Sequence, residues 1–155
     1  MTHIFDLEIL RKHDIRGIYG QNLNEDDAYF LGKSFIGLMK VNGITRRVCV
    51  GYDARASSFT LEKSLVEGLK DSGAEVIRLG MIPTPVLYYA THTIPNYMSG
   101  IMVTGSHNPA EYNGFKMVIN NAAMFDEEII ELAEIARCGN FITREGNVTD
   151  HAIVG

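Results

Sequence analysis

The chain has 155 residues, 46% of them hydrophobic and 21% charged, which is enough apolar material for one ordinary domain with its own core and argues against disorder or a disulfide-dependent scaffold. Its net charge of −5 argues against a generally basic, nucleic-acid-type surface, although a local cationic pocket stays open. The segment Met1–Glu8 carries acids where a secretory leader would carry bases, no apolar run approaches the roughly 20 residues of a membrane span, and the two cysteines, Cys49 and Cys138, fall in no motif; a soluble cytoplasmic protein with neither membrane nor nucleic-acid partners is expected.

The elements alternate between strand-like and helix-like segments. Ile15 to Tyr19 is a short strand candidate. Asn24 followed by Glu25, Asp26 and Asp27 is a helix start: a capping side chain, then acids favoured by the helix dipole. That helix runs to about Lys40, with Phe30, Leu31, Phe35 and Leu38 on its apolar side. Arg47 to Tyr52 is a strand rich in β-branched residues. Ser57 or Ser58 caps a helix whose Leu61, Leu65, Val66 and Leu69 repeat at helical spacing and which Gly73 closes. Ala74 to Leu79 is the next strand. Thr84 and Pro85 read as the cap and first residue of a helix reaching about Thr93, with Tyr88 and Tyr89 as packing residues. Gly100 to Thr104 and Phe115 to Ile119 are strands joined by a polar loop with no helix between them, so they are expected to be antiparallel neighbours. Asp126 caps a last helix to about Ala136. The strand–helix–strand order over residues 47 to 79 implies a right-handed parallel crossover. The fold class is therefore α/β, a mixed, mostly parallel sheet with helices on both faces. Residues 1–138 form the domain, and 139–155, with three glycines and no clear period, read as a linker toward a missing second domain.

The loop from Gly105 to Asn113 carries the chemistry. Gly105 permits a sharp turn, and Pro109 restricts Asn108, so Ser106 is held on a stiffened turn with His107 beside it and Lys116 on the returning strand. A serine nucleophile serves acyl or phosphoryl transfer. The hydrolase elbow requires glycines two positions before and two after the serine, and those places hold Thr104 and Asn108. Phosphoryl transfer requires cations, and Lys116 and Arg16 are candidates, with pairing of Arg16 to Asp14 as the bland alternative. Asp53, Arg55 and Ser57 read as fixing a strand-to-helix turn. His3, His13, His92 and His151 share no metal-ligand spacing.

Thr104-Gly-Ser-His-Asn-Pro109, with Tyr112-Asn-Gly-Phe-Lys116 after it, resembles the active-site serine loop of the α-D-phosphohexomutases. Asp14-Ile-Arg-Gly17, Gly51-Tyr-Asp-Ala-Arg55 and Gly80-Met-Ile-Pro-Thr-Pro85 resemble three further segments of that family in its order, so the likeness runs from residue 10 to about 136. The glycine before the serine resembles the phosphomannomutase/phosphoglucomutase branch; the phosphoglucosamine branch usually has alanine there. His13 stands where the family usually has tyrosine, and Tyr52 where it has arginine. The resemblance implies the N-terminal domain of a phosphoglucomutase-like fold, interconverting hexose 1-phosphate and hexose 6-phosphate through a phosphoserine at Ser106 and a bisphosphate intermediate, with a glucose 1,6-bisphosphate-type activator. It implies Ser106, Lys116, His107 and Arg16 as catalytic residues and Asn108 and His13 as substrate contacts. Mg²⁺ would be bound through the phosphate of Ser106, its other ligands coming from later domains of the same protein, so that the 155 residues alone would be inactive. A non-catalytic module derived from a mutase, binding a sugar phosphate or a protein partner, is the alternative.

Overall fold

The computed structural model describes residues 1–151. A 3-10 turn at Leu7–Ile9 leads into β1 (Asp14–Ile18), followed by α1 (Glu25–Val41), β2 (Arg47–Tyr52), α2 (Ser58–Lys70), β3 (Glu75–Met81), α3 (Thr84–Thr93), β4 (Gly100–Val103), β5 (Tyr112–Ile119), β6 (Ala122–Ala123), α4 (Asp126–Cys138) and β7 (Asn147–Asp150). The strands make one seven-stranded sheet in the order β1-β5-β4-β2-β3-β7, with β6 against β5. The pairs β4–β2, β2–β3 and β3–β7 are parallel, and β5 is antiparallel to β4, β1 and β6. β5 alone therefore runs against the rest, and the sheet is mixed and mostly parallel, as the order of elements implies.

Both faces are covered, but unequally. The main core lies under α1, α2 and α4, with α1 packed between the other two, and on the face presented by Ile15, Val48, Val50, Ile101, Val103, Phe115 and Met117. On the other face α3 packs over β2 and β4, with Leu87 and Ala90 against Cys49, Leu79 and Met102. Side chains alternate along a strand. The β5 residue between Phe115 and Met117 is Lys116, and the β1 residues flanking Ile15 are Asp14 and Arg16. These three thus lie on the α3 face, over strands that α3 does not cover.

Local rules explain most boundaries. Asn24 accepts from the backbone N–H groups of Asp26 and Asp27, and the Asp27 carboxylate accepts from the Asn24 N–H, a reciprocal capping box. Three capping expectations are corrected. Ser57 and Ser58 make no cap hydrogen bond on α2, because their hydroxyls are engaged with Asn113 and Asp53. Pro83 is the extended cap of α3, with Thr84 already helical. Phe125 precedes α4, whose first residue is Asp126, and the Phe125 N–H donates to the Glu128 carboxylate. Tyr88 and Tyr89 do not pack in the core: they are 36% and 59% exposed. The stretch from residue 139 is not wholly irregular, since Asn147–Asp150 adds to the sheet edge in parallel register with Glu75–Arg78; residues 152–155 of that stretch lie outside the described residues.

The helices α1 and α2 cross in close backbone contact. A Cβ on Gly68 would lie 2.0 Å from the carbonyl oxygen of Tyr29, and one on Gly32 would lie 2.6 Å from that of Leu65. The missing side chains let the two backbones touch. In an isolated helix Gly→Ala gains about 1 kcal/mol. Here the added methyl meets backbone, and overpacking of this kind costs about 1–3 kcal/mol. Gly68→Ala is therefore expected to lower the urea midpoint of unfolding in spite of its better helix propensity; a raised midpoint would show that the helices separate freely.

Candidate functional site

The serine loop spans the gap between the end of β4 and the start of β5, at the carboxyl end of the parallel strands, where sites in such sheets form. Leaving the sheet, its backbone has no ladder partners, yet its polar groups require hydrogen bonds. The segment after β2 supplies them. Asp53 accepts from the Thr104 hydroxyl at 2.8 Å, from the Gly105 N–H at 3.2 Å and from the Ser58 hydroxyl at 2.5 Å. Thr104 Oγ1 in turn accepts from the Ser106 N–H at 3.0 Å. Arg55 donates through Nη2 to the carbonyl oxygens of Ser106 (2.9 Å) and Asn108 (2.7 Å), and through Nη1 to those of Pro109 (2.6 Å) and Tyr112 (3.0 Å). Its Nε–H donates to Asp53 at 3.2 Å. Gly105 makes room for this: a Cβ there would lie 2.3 Å from the guanidinium carbon.

Ser106 sits in this frame with φ of +55°, in the left-handed region that a non-glycine residue seldom occupies. Its N–H and C=O are both engaged, and its Oγ is buried with no hydrogen-bond partner among the described residues. A pinned backbone carrying an uncommitted hydroxyl suits a nucleophile better than a structural serine, which would spend its hydroxyl locally.

Of the other candidates, Arg16 and Asn108 are brought together. Arg16 donates through Nη1 to Asn108 Oδ1 at 2.7 Å and through Nη2 to Asp14 at 2.5 Å, so the pairing with Asp14 and the contact with the serine loop coexist. Its Nε is buried without a partner. Lys116 is half-buried and sits opposite Asp14 in the β1–β5 register. Arg16, Lys116 and His13 line a cleft of about 380 Å³ with Arg11, Lys12 and Tyr88. Four cations against the Asp14 carboxylate make this a positive site on a chain of net negative charge, complementary to phosphate. His13 packs edge-on against Phe125. His107 is exposed on the loop. No group of three or more His, Cys, Asp or Glu side chains is gathered as a metal site among the described residues.

Asp53 and Arg55 exceed their expected part. They read from sequence as fixing their own turn; the structure shows them reaching across to hold the serine loop. The one signal was their position, charged residues directly after a strand in an α/β pattern. Burial alone would raise the Asp53 carboxyl, but the hydrogen bonds from Ser58, Thr104, and the Arg55 and Gly105 backbone outweigh it and hold the group below the usual aspartate value.

The family model for phosphoglucomutase/phosphomannomutase α/β/α domain I matches residues 8–139. The chain is 40% identical over 150 residues to a phosphoglucomutase of Neisseria gonorrhoeae, covering 96% of this chain and 32% of that protein. It is 41% identical over 140 residues to a phosphomannomutase/phosphoglucomutase of Pseudomonas aeruginosa, covering 90% and 30%. A crystal structure of a phosphoglucomutase/phosphomannomutase family protein from Burkholderia thailandensis superposes with a TM-score of 0.91 at 35% identity, over 96% of this chain and 34% of that one. The chain thus spans about a third of the length of these relatives.

The Asp53 shift has a defined sign. A carboxylate whose folded pKa lies below its unfolded value contributes stability that is complete above about pH 4 and is lost as the pH falls through the folded value. Asp53→Asn is expected to lower stability at pH 7 and to lose less of what remains between pH 4 and pH 2 than the parent protein does. Urea titrations of both proteins at several pH values check this; parallel acid limbs would show that Asp53 titrates alike in the folded and unfolded chains.

Proposed function

The chain belongs to the phosphoglucomutase/phosphomannomutase family, whose domain I it matches, and from that premise we propose that it is the phosphoserine-bearing domain of a phosphohexomutase. The observation that carries the proposal is Ser106: left-handed, pinned at both backbone groups, with its Oγ uncommitted, on a loop tied by Arg16 to a cationic cleft. In this reading Ser106 Oγ attacks a phosphate of a hexose bisphosphate. The Oγ–P bond forms, the bond from phosphorus to the sugar oxygen breaks, the serine proton passes to a base, and the departing sugar oxygen takes up a proton. In turnover phospho-Ser106 gives its phosphoryl group to the free hydroxyl of a hexose 1-phosphate, the bisphosphate so formed turns in the site, and Ser106 takes up the phosphate from the original position, so hexose 1-phosphate and hexose 6-phosphate interconvert.

The roles follow from place. Lys116, half-buried on β5, is the general acid/base candidate. Arg16 orients Asn108 and presents positive charge to the phosphate. His107 adds to that charge when protonated, and His13, on the wall of the cleft, is the candidate sugar contact. Mg²⁺, when bound, withdraws charge from the transferring group. Phospho-Ser106 would give it one oxygen; the described residues gather no carboxylate cluster for the rest, so those ligands belong to later domains, toward which 139–155 would lead. We place the reaction in the cytoplasm. The described residues include no helix long and apolar enough to cross a membrane.

Exposure to glucose 1,6-bisphosphate with the later domains supplied is expected to leave a phosphoryl group on Ser106 alone, as read by intact mass and peptide mapping; phosphate elsewhere with Ser106 bare sinks the assignment. In the same assembly Lys116→Met, which keeps the stem and removes the charge, is expected to lower turnover at least about 100-fold with the fold unchanged; near-normal turnover would remove Lys116 from the mechanism. The 155-residue chain alone is expected to show no mutase turnover and to recover it on addition of the later domains. Robust turnover by the chain alone would mean that it assembles a complete site by itself.

A further inference from the structure

We propose that Arg55 is a positioning residue for the nucleophile, setting the geometry of Ser106 without touching substrate. This rests on the reading of Ser106 as the phosphoryl acceptor. An arginine carries five N–H donors. All five are used here: two at Nη1 on Pro109 and Tyr112, two at Nη2 on Ser106 and Asn108, and the one at Nε on Asp53. The side chain is 14% exposed. No donor remains for a phosphate, so the charge of Arg55 acts on the loop. Four carbonyl oxygens spread over seven residues of chain, 106 to 112, converge on one planar group, which therefore fixes their positions relative to one another.

The Ser106 carbonyl is one of the four, and Ser106 is in the left-handed region. A non-glycine residue held there stores strain, and it relaxes toward ordinary backbone when its restraint is removed. Rotation about Ser106 φ swings Oγ away from its present line. The other restraint on that residue, the Ser106 N–H to Thr104 Oγ1 bond, hangs from Asp53, to which Arg55 is also bonded. Loss of Arg55 thus loosens both ends of the serine. In-line phosphoryl transfer tolerates little of this: a misplacement of about 1 Å can cost about 100-fold in rate. Because Arg55 makes no substrate contact, the loss falls on kcat and not on KM.

The test uses Arg55→Ala and Arg55→Lys. Lysine retains charge but cannot present the planar fork, so it is not a conservative replacement here. On the 155-residue chain, hydrogen exchange at the amides of Ser106, Asn108 and Tyr112, each hydrogen-bonded within the loop, is expected to quicken in both variants while β2 and β4 keep their protection. Unchanged protection in the loop overturns the proposal whatever the protein's activity. In the assembly with the later domains, phosphoryl transfer to Ser106 from glucose 1,6-bisphosphate is expected to fall about 100-fold in kcat with KM unchanged, and guanidinium ion to restore part of the rate to Arg55→Ala but not to the parent protein. A raised KM with kcat intact would make Arg55 a substrate ligand and overturn the proposal, as would an unaltered kcat. Should the parent protein take no phosphoryl group on Ser106, the reading of Ser106 fails, and the exchange experiment alone decides the part played by Arg55. If Arg55→Ala does not fold, Arg55→Lys carries both kinetic and exchange readouts.

Discussion

A loop that leaves a sheet takes its backbone out of the ladder and must satisfy it by other means. In this protein the demand is concentrated between β4 and β5, where the chain turns through a left-handed serine and a proline, and one ion pair meets much of it. The Arg55 guanidinium collects the loop's carbonyl groups, and the Asp53 carboxylate collects its N–H and hydroxyl donors. The two are joined to each other, so donor-seeking and acceptor-seeking sides of the loop are fixed to one rigid unit at the end of β2. Hydrogen bonds to charged groups are worth about 1.5–3 kcal/mol each, against about 1–3 kcal/mol for the unusual backbone of Ser106, so the frame has ample means to hold it.

The location of the cleft follows from topology. Three helices crowd the face under the main core, whereas the other face has α3 alone, seated over β2 and β4. The half of that face made by β5 and β1 stays open. Asp14, Arg16 and Lys116 stand there, Asp14 buried in its ion pair with Arg16 and the two cations half-buried along the cleft. β5, the strand that runs against the others, carries both the end of the serine loop and Lys116. It returns the chain from Ser106 past Arg16 of β1, so the antiparallel insertion in a parallel sheet is what joins the two halves of the candidate site.

The sequence made the strongly patterned elements readable and hid those that rest on distant partners. β2 is recovered with its observed bounds because its β-branched run is buried in the sheet, and α1 because Asn24 and the acids after it form a local cap. β7 is invisible for the opposite reason: all four of its residues are exposed, so no alternation marks them, and pairing with β3 alone makes them a strand. Tyr88 and Tyr89 satisfy helical spacing, but α3 is too narrow a cover to bury them. The serine loop itself was legible as chemistry through its residue types. Its frame was not. Four of the five acceptors of Arg55 are main-chain carbonyls more than fifty residues away, and a main-chain carbonyl has no sequence signature.

The way the positive charges are committed separates two tasks that are easily confused. Arg55 has four donors on the loop carbonyls and the fifth on Asp53, and both terminal nitrogens of Arg16 are engaged, one with Asn108 and one with Asp14. Arg55 has no donor left for an incoming phosphate, whereas each terminal nitrogen of Arg16 keeps a second N–H beyond its bond to Asn108 or Asp14. A phosphorylated serine brings about −1.5 to −2 charges at neutral pH. In the proposed reading that charge would meet Arg16, Lys116 and protonated His107, with the exposed Arg11 and Lys12 lining the same cleft. In that reading the arginine fork of Arg55 holds the serine loop still, and Lys116 would answer the moving charge. That division matches the chemistry of the two side chains: a planar fork suits fixed, directional acceptors, whereas a compact ammonium on a long stem can follow a phosphoryl group from one oxygen to the next.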